Sequence, residues 1–368
     1  MTKKKNDNAF MLIELQNQGV RLAVIASRSA GLKGRKQLPR YEEMDGVPIH
    51  RLYSTPLEMF LFPRANLKKV LQVTEQLKPQ LIFCSEERNM RLALLVQKYL
   101  ELPIALLVED GGRILSGESQ TYRTLTRKYM MKILGIPIGP QLWHWLCDKA
   151  STLTTCHPRD KRILDKLSRC GKPVFYVPWP THIPKNLGPL MAKKKHRGVY
   201  LGSLSTSKNT QEFESTIPRI FKETPTQEFI VVGPGPQAKN IKKLCDRIGN
   251  RLKYVEELPR ETALRLIAES YYGYTPVVTG GWGFIGDCWS MKTPVVMTHN
   301  DEYVIRNTNA LVAENEKDLI LNINRLFDDP DLFRRLQQNG FQEHLNRTEK
   351  KVSEGLLAVF EKTLYVAQ

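Results

Sequence analysis

No run of apolar residues in this chain approaches the ~20 that a membrane-spanning helix needs. No apolar stretch follows the basic opening "MTKKKNDNAF" either, so neither a transmembrane segment nor a secretory signal is expected. Cysteine is sparse and scattered: Cys84, Cys147, Cys156, Cys170, Cys245 and Cys288 form no C-x-x-C pair and no group with metal-ligand spacing. That argues against a disulfide framework or a zinc site and for free thiols in a reducing cytoplasm. The P-loop pattern G-x-x-x-x-G-K-[ST] is absent, as are the common nucleic-acid-binding motifs. Acid is in deficit as well. Asp and Glu number 38 against 55 Lys and Arg, a net charge of +17. Such a balance attracts phosphorylated ligands, anionic membrane surfaces or nucleic acid. With no nucleic-acid motif present, no nucleic-acid partner is expected.

What the sequence does have is rhythm. Its 368 residues suffice for two or three domains, and strand-like and helix-like segments alternate almost throughout. The first half reads as helix 8–19, strand 20–27, strand 47–54, helix 66–79, strand 80–86, helix 89–102 and strand 103–110, then strand 151–158, helix 159–171 and strand 172–180. The second half repeats the alternation with strands "GVYLGS", "TQEFIVVG", "LKYVEEL", "YGYTPVV" and "TPVVMTH". This pattern predicts an α/β fold of two doubly wound domains. One spans 1–182, a Pro-rich and Lys-rich linker 183–197, the second 198–345, and a terminal helix 346–368. The start is unusual, because a helix precedes the first strand and no opening strand with a glycine-rich turn is seen.

Three stretches carry candidate chemistry, and a fourth suggests a surface. "VYLGSLSTSKNTQEF" is a strand, a glycine, a polar loop and Lys208 at a helix start, a combination that suits a phosphate and equally a polar turn with a serine N-cap. "VVGPGPQA" has the spacing of a dinucleotide turn, but Pro234 and Pro236 remove N–H donors that a pyrophosphate would need. "TGGWGFIGDCWSMKTPVV" places glycines and aromatics between a strand and a helix, with Asp287 in that helix; a packed turn and a ligand loop both fit. Segment 122–147 is basic and apolar with Trp143 and Trp145. It reads as a helical hairpin or as a surface that rests on an anionic membrane.

The order of "LGSLSTSKN", "VVGPGPQ", "TGGWGFIGDCWSMKTPVV" and the tail "NTNALVAENEKDLILNINRLFDDPDLFRRLQQNG" resembles the C-terminal domain of family 4 glycosyltransferases. The resemblance implies the GT-B fold and a retaining transfer of sugar from a nucleotide-diphosphate sugar to an acceptor hydroxyl, with no cofactor and no required metal. It also implies a donor site of Gly202, Ser203, Lys208, Gly233, Leu258, Gly280, Gly281, Trp282, Gly283, Phe284 and Asp287. Lys208 would hold the diphosphate and Asp287 the ribose. Ser203 stands where the family has an arginine. Thr279 or Gly280 stands where it has a sugar-holding acid. Glu109 replaces a family histidine, and Glu109 and Asp110 are implied to meet sugar hydroxyls or the acceptor. These departures leave a non-catalytic protein that binds a nucleotide sugar or a partner as the alternative.

Overall fold

The computed structural model describes residues 7–28, 38–55, 58–59, 62–85, 89–108, 148–167, 171–184, 187, 192–276, 282–299 and 303–367. The chain divides into two compact units, Met1–Pro180 with Glu349–Gln368, and Thr181–Thr348.

The first unit opens with α1 (Asp7–Asn17) and continues through β1 (Val24–Ser27), β2 (Tyr41–Met44), β3 (Val47–Tyr53), α2 (Leu67–Leu77), β4 (Ile82–Ser85), α3 (Met90–Leu100), β5 (Ile104–Val108), β6 (Thr152–Thr155), α4 (Pro158–Leu167) and β7 (Val174–Tyr176). β4, β5, β6 and β7 form a parallel sheet in that order. Every residue of β5, "IALLV", is buried, as expected of a strand covered on both faces. β1 pairs with β3 in parallel, and β2 pairs with β3 antiparallel.

β2 is a difference from the sequence reading, which recognised only β3. "YEEM" is too polar to read as a strand, but Asp45 and Gly46 both take positive φ, 49° and 84°, the requirement of a tight two-residue hairpin turn. Arg51 and Glu42 then pair across the hairpin at 2.5 Å, each side chain 8% exposed. A charge on the inward face of β3 is thereby compensated.

The second unit comprises β8 (Lys194–Leu201), α5 (Phe213–Glu223), β9 (Glu228–Val232), α6 (Ala238–Ile248), β10 (Leu252–Val255), α7 (Arg260–Glu269), β11 (Ser270–Thr275), α8 (Trp282–Ser290), β12 (Val295–Met297), β13 (Leu311–Val312), α9 (Glu316–Asp328) and α10 (Pro330–Leu345). Its six strands are all parallel in the order β10-β9-β8-β11-β12-β13. In chain order that is 3-2-1-4-5-6, the doubly wound arrangement in which the direction of winding reverses between the first and fourth strands. Aromatics fill its centre: Tyr200 meets Phe213 edge-on at 4.9 Å and Phe213 meets Tyr274 at 5.6 Å. Asn315 and Asp329 cap α9 and α10, accepting from Asp318 N at 3.0 Å and Leu332 N at 2.8 Å.

β8 opens at Lys194, inside the stretch expected to be linker. Arg197 on it pairs with Glu228 at 2.5 Å and Glu269 at 3.2 Å. Just ahead, Lys193 Nζ donates to Ala268 O, Ser270 O and Thr293 Oγ1 at 2.9, 3.2 and 2.7 Å. Burial lowers its pKa to about 8.

The last helix, α11 (Glu349–Ala367), belongs to the first unit. Val352, Leu356, Val359 and Phe360 form one apolar cluster with Met11 and Leu15 of α1, and Thr363 Oγ1 meets Thr152 Oγ1 at 2.6 Å. No helix among the described residues is long and apolar enough to cross a membrane.

Candidate functional site

In a doubly wound sheet, ligands bind beyond the carboxyl ends of the strands where the winding reverses. In the second unit that point lies between β8 and β11. The loop leaving β8 begins at Gly202 and is stitched to the loop leaving β9. Gly202 N donates to Val232 O at 2.9 Å, Leu204 N to Pro234 O at 2.9 Å and Gln237 N to Leu204 O at 3.1 Å. The two backbones run so close that a Cβ on Gly233 would stand 1.8 Å from the Gly202 carbonyl oxygen, and one on Gly235 would stand 2.1 Å from that of Leu204. The glycines of "GPGP" therefore serve an approach of backbone to backbone, and Pro234 keeps its use as an acceptor. This geometry explains the glycine spacing without a dinucleotide.

Beyond that seam the β8 loop forms two short 3-10 turns, Thr206–Lys208 and Thr210–Glu212, joined by Asn209 at φ 55°. Ser203 is exposed, and its carbonyl accepts from Tyr200 Oη at 3.2 Å. The Lys208 side chain is half-buried on the first turn.

The second turn carries a polar network that reaches the end of β12. Glu212 Oε2 accepts from Thr298 Oγ1 at 3.0 Å, and its Oε1 lies 3.2 Å from His299 Nε2. Asn209 Nδ2 donates to Glu212 Oε1 and lies 3.1 Å from His299 Nε2. Behind it the Tyr274 hydroxyl donates to Thr216 Oγ1 at 3.3 Å, and burial pushes its pKa well above that of an exposed tyrosine.

α8 follows β11 and presents a different surface from the one its glycines suggested. Trp282 is 5% exposed and packs edge-on against Trp289 and Tyr303, with ring centroids at 5.6 and 5.4 Å. The Arg347 guanidinium lies 4.1 Å from the Trp282 ring centroid and 4.4 Å from that of Tyr303, a cation held between aromatic faces. Phe284 points inward to Tyr200, centroids 5.4 Å apart. The aromatic side chains of this stretch are thus spent on packing, and Gly283 is its exposed residue. Asp287, in the second turn of the helix, is 7% exposed. Both its oxygens accept from Arg260, Oδ2 from Nη1 and Oδ1 from Nη2, each at 2.5 Å. Arg260 Nη2 also donates to His182 O at 2.9 Å.

Residues 195–329 match the family described as "Glycosyl transferases group 1". This part of the chain is thus similar to a group 1 glycosyltransferase domain. No curated protein sequence gives a match. Solved structures similar to the whole chain include three at low identity. One is a sucrose-phosphate synthase from Thermosynechococcus elongatus (14% identity, TM-score 0.71, 97% of this chain and 92% of that one). Another is Anabaena HepE in complex with UDP (14%, 0.66, 98% and 97%). The third is the trehalose-6-phosphate synthase OtsA (11%, 0.67, 98% and 95%). At such identity these likenesses establish the fold: two Rossmann-like units of the GT-B class.

Within the second unit, Gly202 and Gly233 meet at the ends of β8 and β9, and Ser203 and Lys208 lie in the loop that leaves β8. Leu258 is half-buried in the connection from β10 to α7, and Trp282, Gly283, Phe284 and Asp287 lie on α8. Gly280, Gly281, Thr279, Glu109, Asp110 and the segment 122–147 lie outside the described residues. The sequence reading missed Arg260, Glu212, Thr298 and His299. The only local signal for the last two was a hydroxyl and an imidazole directly after the strand "TPVVM".

Proposed function

We propose that the protein transfers a sugar from a nucleotide-diphosphate sugar to an acceptor hydroxyl, with retention of configuration, as a family 4 type glycosyltransferase. The observation that carries this reading is the group 1 glycosyltransferase match over residues 195–329. The chemistry needs an oxocarbenium-like centre while a diphosphate leaves, and positive charge and N–H donors aimed at that diphosphate supply the main stabilisation. Lys208 and the backbone of Gly281 to Phe284 take that role. Gly202, Ser203 and Gly233 border the diphosphate, Leu258 the base, and Gly280 the donor sugar. Asp287, fixed in direction by Arg260, meets the ribose. Glu109 and Asp110 contact sugar hydroxyls or the acceptor. No metal takes part in this scheme. HepE has been solved with UDP and with UDP-glucose, so UDP and UDP-glucose are the first ligands to test. The net charge of +17 fits both a phosphorylated donor and an acceptor presented at an anionic membrane surface.

Titration calorimetry of the full chain with UDP, UDP-glucose and uridine tests the donor site. Lys208→Ala is expected to weaken UDP binding about tenfold or more while leaving uridine almost unchanged, since a charge-assisted contact to phosphate contributes about 1.5–3 kcal/mol. Equal loss for both ligands removes Lys208 from the diphosphate site, and no binding of any nucleotide sugar by the wild type removes the proposal.

A second reading is favoured by one observation. Arg260 already holds both oxygens of Asp287, in a stretch where Thr279 and Gly280 leave no sugar-holding carboxylate. On this reading the domain binds a nucleotide sugar without turning it over. A folded protein that binds the donor yet releases no UDP, with or without a panel of hydroxyl acceptors, supports it; release of UDP rules it out.

A further inference from the structure

Unmet hydrogen-bond donors gather at the first turn of α8. Among the described residues, the Trp282 indole Nε1, the Arg347 guanidinium Nη1 and the Thr181 hydroxyl are buried polar atoms without a hydrogen-bond partner. The residues themselves are 5%, 2% and 5% exposed. Buried polar groups are nearly always paired, with protein, water or an ion, so three orphans in one place call for a common partner.

The three residues are mutual neighbours within the second unit. Thr181 N donates to Arg347 O at 3.1 Å. The Arg347 guanidinium carbon lies 4.1 Å from the Trp282 ring centroid. Thr181 Oγ1 and the indole meet over Gly286, where a Cβ would stand 2.5 Å from the hydroxyl and 3.0 Å from Cε2, the ring atom bonded to Nε1. On one edge of the guanidinium, Glu343 Oε1 accepts from Nε at 2.9 Å and from Nη2 at 2.8 Å. Nη1 is left over.

We propose that one halide ion, chloride in ordinary solution, is enclosed here and accepts from Trp282 Nε1, Arg347 Nη1 and Thr181 Oγ1. The donor set decides the class. Indole and guanidinium nitrogens only donate. A water molecule would accept two of these bonds, yet it has hydrogens of its own to place, and neither nitrogen accepts them. An oxyanion such as phosphate brings more oxygens than these donors can meet, and leaves the rest unpaired in a closed site. A halide accepts from several directions and has nothing to donate. Its charge suits the Arg347 cation and the positive end of α8, where Trp282 is the first residue. So seated, it ties the start of α8 to the chain before β8 and after α10. The inference does not depend on glycosyl transfer.

The test follows thermal unfolding of the full chain at fixed ionic strength while potassium gluconate, too large to be enclosed, is replaced by potassium chloride. Wild-type Tm is expected to rise along a saturating curve. Trp282→Phe removes the N–H and keeps an aromatic ring beside Arg347. Thr181→Val removes the hydroxyl at nearly equal shape. Neither alters the net charge of +17, so general screening acts alike on all three proteins. Each variant is expected to bind chloride about tenfold or more weakly than the wild type. In gluconate Thr181→Val is expected to match or exceed the wild-type Tm, because the hydroxyl it removes has no acceptor there. Wild-type crystals grown in bromide are expected to show an anomalous peak within hydrogen-bond distance of Trp282 Nε1 and Arg347 Nη1. A Tm unchanged by chloride, a chloride dependence equal in the wild type and both variants, or no bromide peak at this site overturns the proposal. So does a Thr181→Val variant that is less stable than the wild type by the same amount in both salts, a result that identifies an ordered water.

Discussion

Gly233→Ala tests whether the glycines after β9 exist for the seam between loops or for a ligand. The new Cβ would stand 1.8 Å from the Gly202 carbonyl oxygen, so one loop must retreat by about 1.5 Å to restore ordinary contact. The residue also sits at φ 147°, where a side chain adds about 1–3 kcal/mol of backbone strain. The retreat strains the bonds Gly202 N to Val232 O and Gly233 N to Val255 O, 2.9 and 3.0 Å, each contributing about 1 kcal/mol. Together these give a loss of about 3–5 kcal/mol, near the upper end for one substitution. Gly283→Ala is the control. It is an exposed helical position where a Cβ meets nothing within 4 Å, and the change should stabilise by about 0.5–1 kcal/mol. Urea titration followed by tryptophan fluorescence measures both, and a thermal scan should show Gly233→Ala down by about 10 °C. A loss under about 1 kcal/mol, combined with weakened UDP binding, would refute the seam argument and give the glycine back to a ligand.

Other substitutions probe the neighbouring contacts. A double-mutant cycle of Asp287→Asn and Arg260→Gln should return a coupling of about 1–2 kcal/mol by urea denaturation, reduced from the value of a fully buried pair because the Arg260 side chain is 38% exposed. Zero coupling means that the pair does not hold in solution. His344 is 3% exposed, and burial lowers its pKa to about 4. The folded state therefore binds this proton less readily than the unfolded state between pH 4 and 6.5. Stability should fall by about 2 kcal/mol from pH 7 to 4.5 on this account, and His344→Gln should remove that part of the acid sensitivity. Arg347→Leu should cost about 1–3 kcal/mol by stripping the cation from between Trp282 and Tyr303; an unchanged urea midpoint would show that the stack is incidental.

The alternation of strand and helix was legible because both periods are local: four to eight apolar residues mark a buried strand, and spacing of three and four marks a helix face. What escaped depended on compensation from outside the element itself. β2 is polar because Glu42 answers Arg51, and its one local sign was Asp45-Gly46. "KKHR" reads as a solvated linker, yet it lies on β8. Arg197 is answered by Glu228, 31 residues on, and by Glu269, 72 residues on. No window of the sequence contains both halves of such a pair.

The same reasoning separates what the candidate site could reveal from what it could not. Glycine spacing announces that something approaches the backbone closely, and it says nothing about what approaches. At Gly233 and Gly235 the approaching group is the neighbouring loop, so their spacing carries less evidence for a ligand than it suggested. Lys208 differs, because its charge, at the carboxyl end of the first strand, is of the sign a phosphate needs. The sheet order places it beside the point where the winding reverses, the one location that the topology alone would select for a ligand. The network of Asn209, Glu212, Thr298 and His299 spans that point from β8 to β12. It fixes the turn that bears Lys208 through residues 87 positions apart. The charge can be read from the sequence; the rigidity that would aim it arises only in the fold.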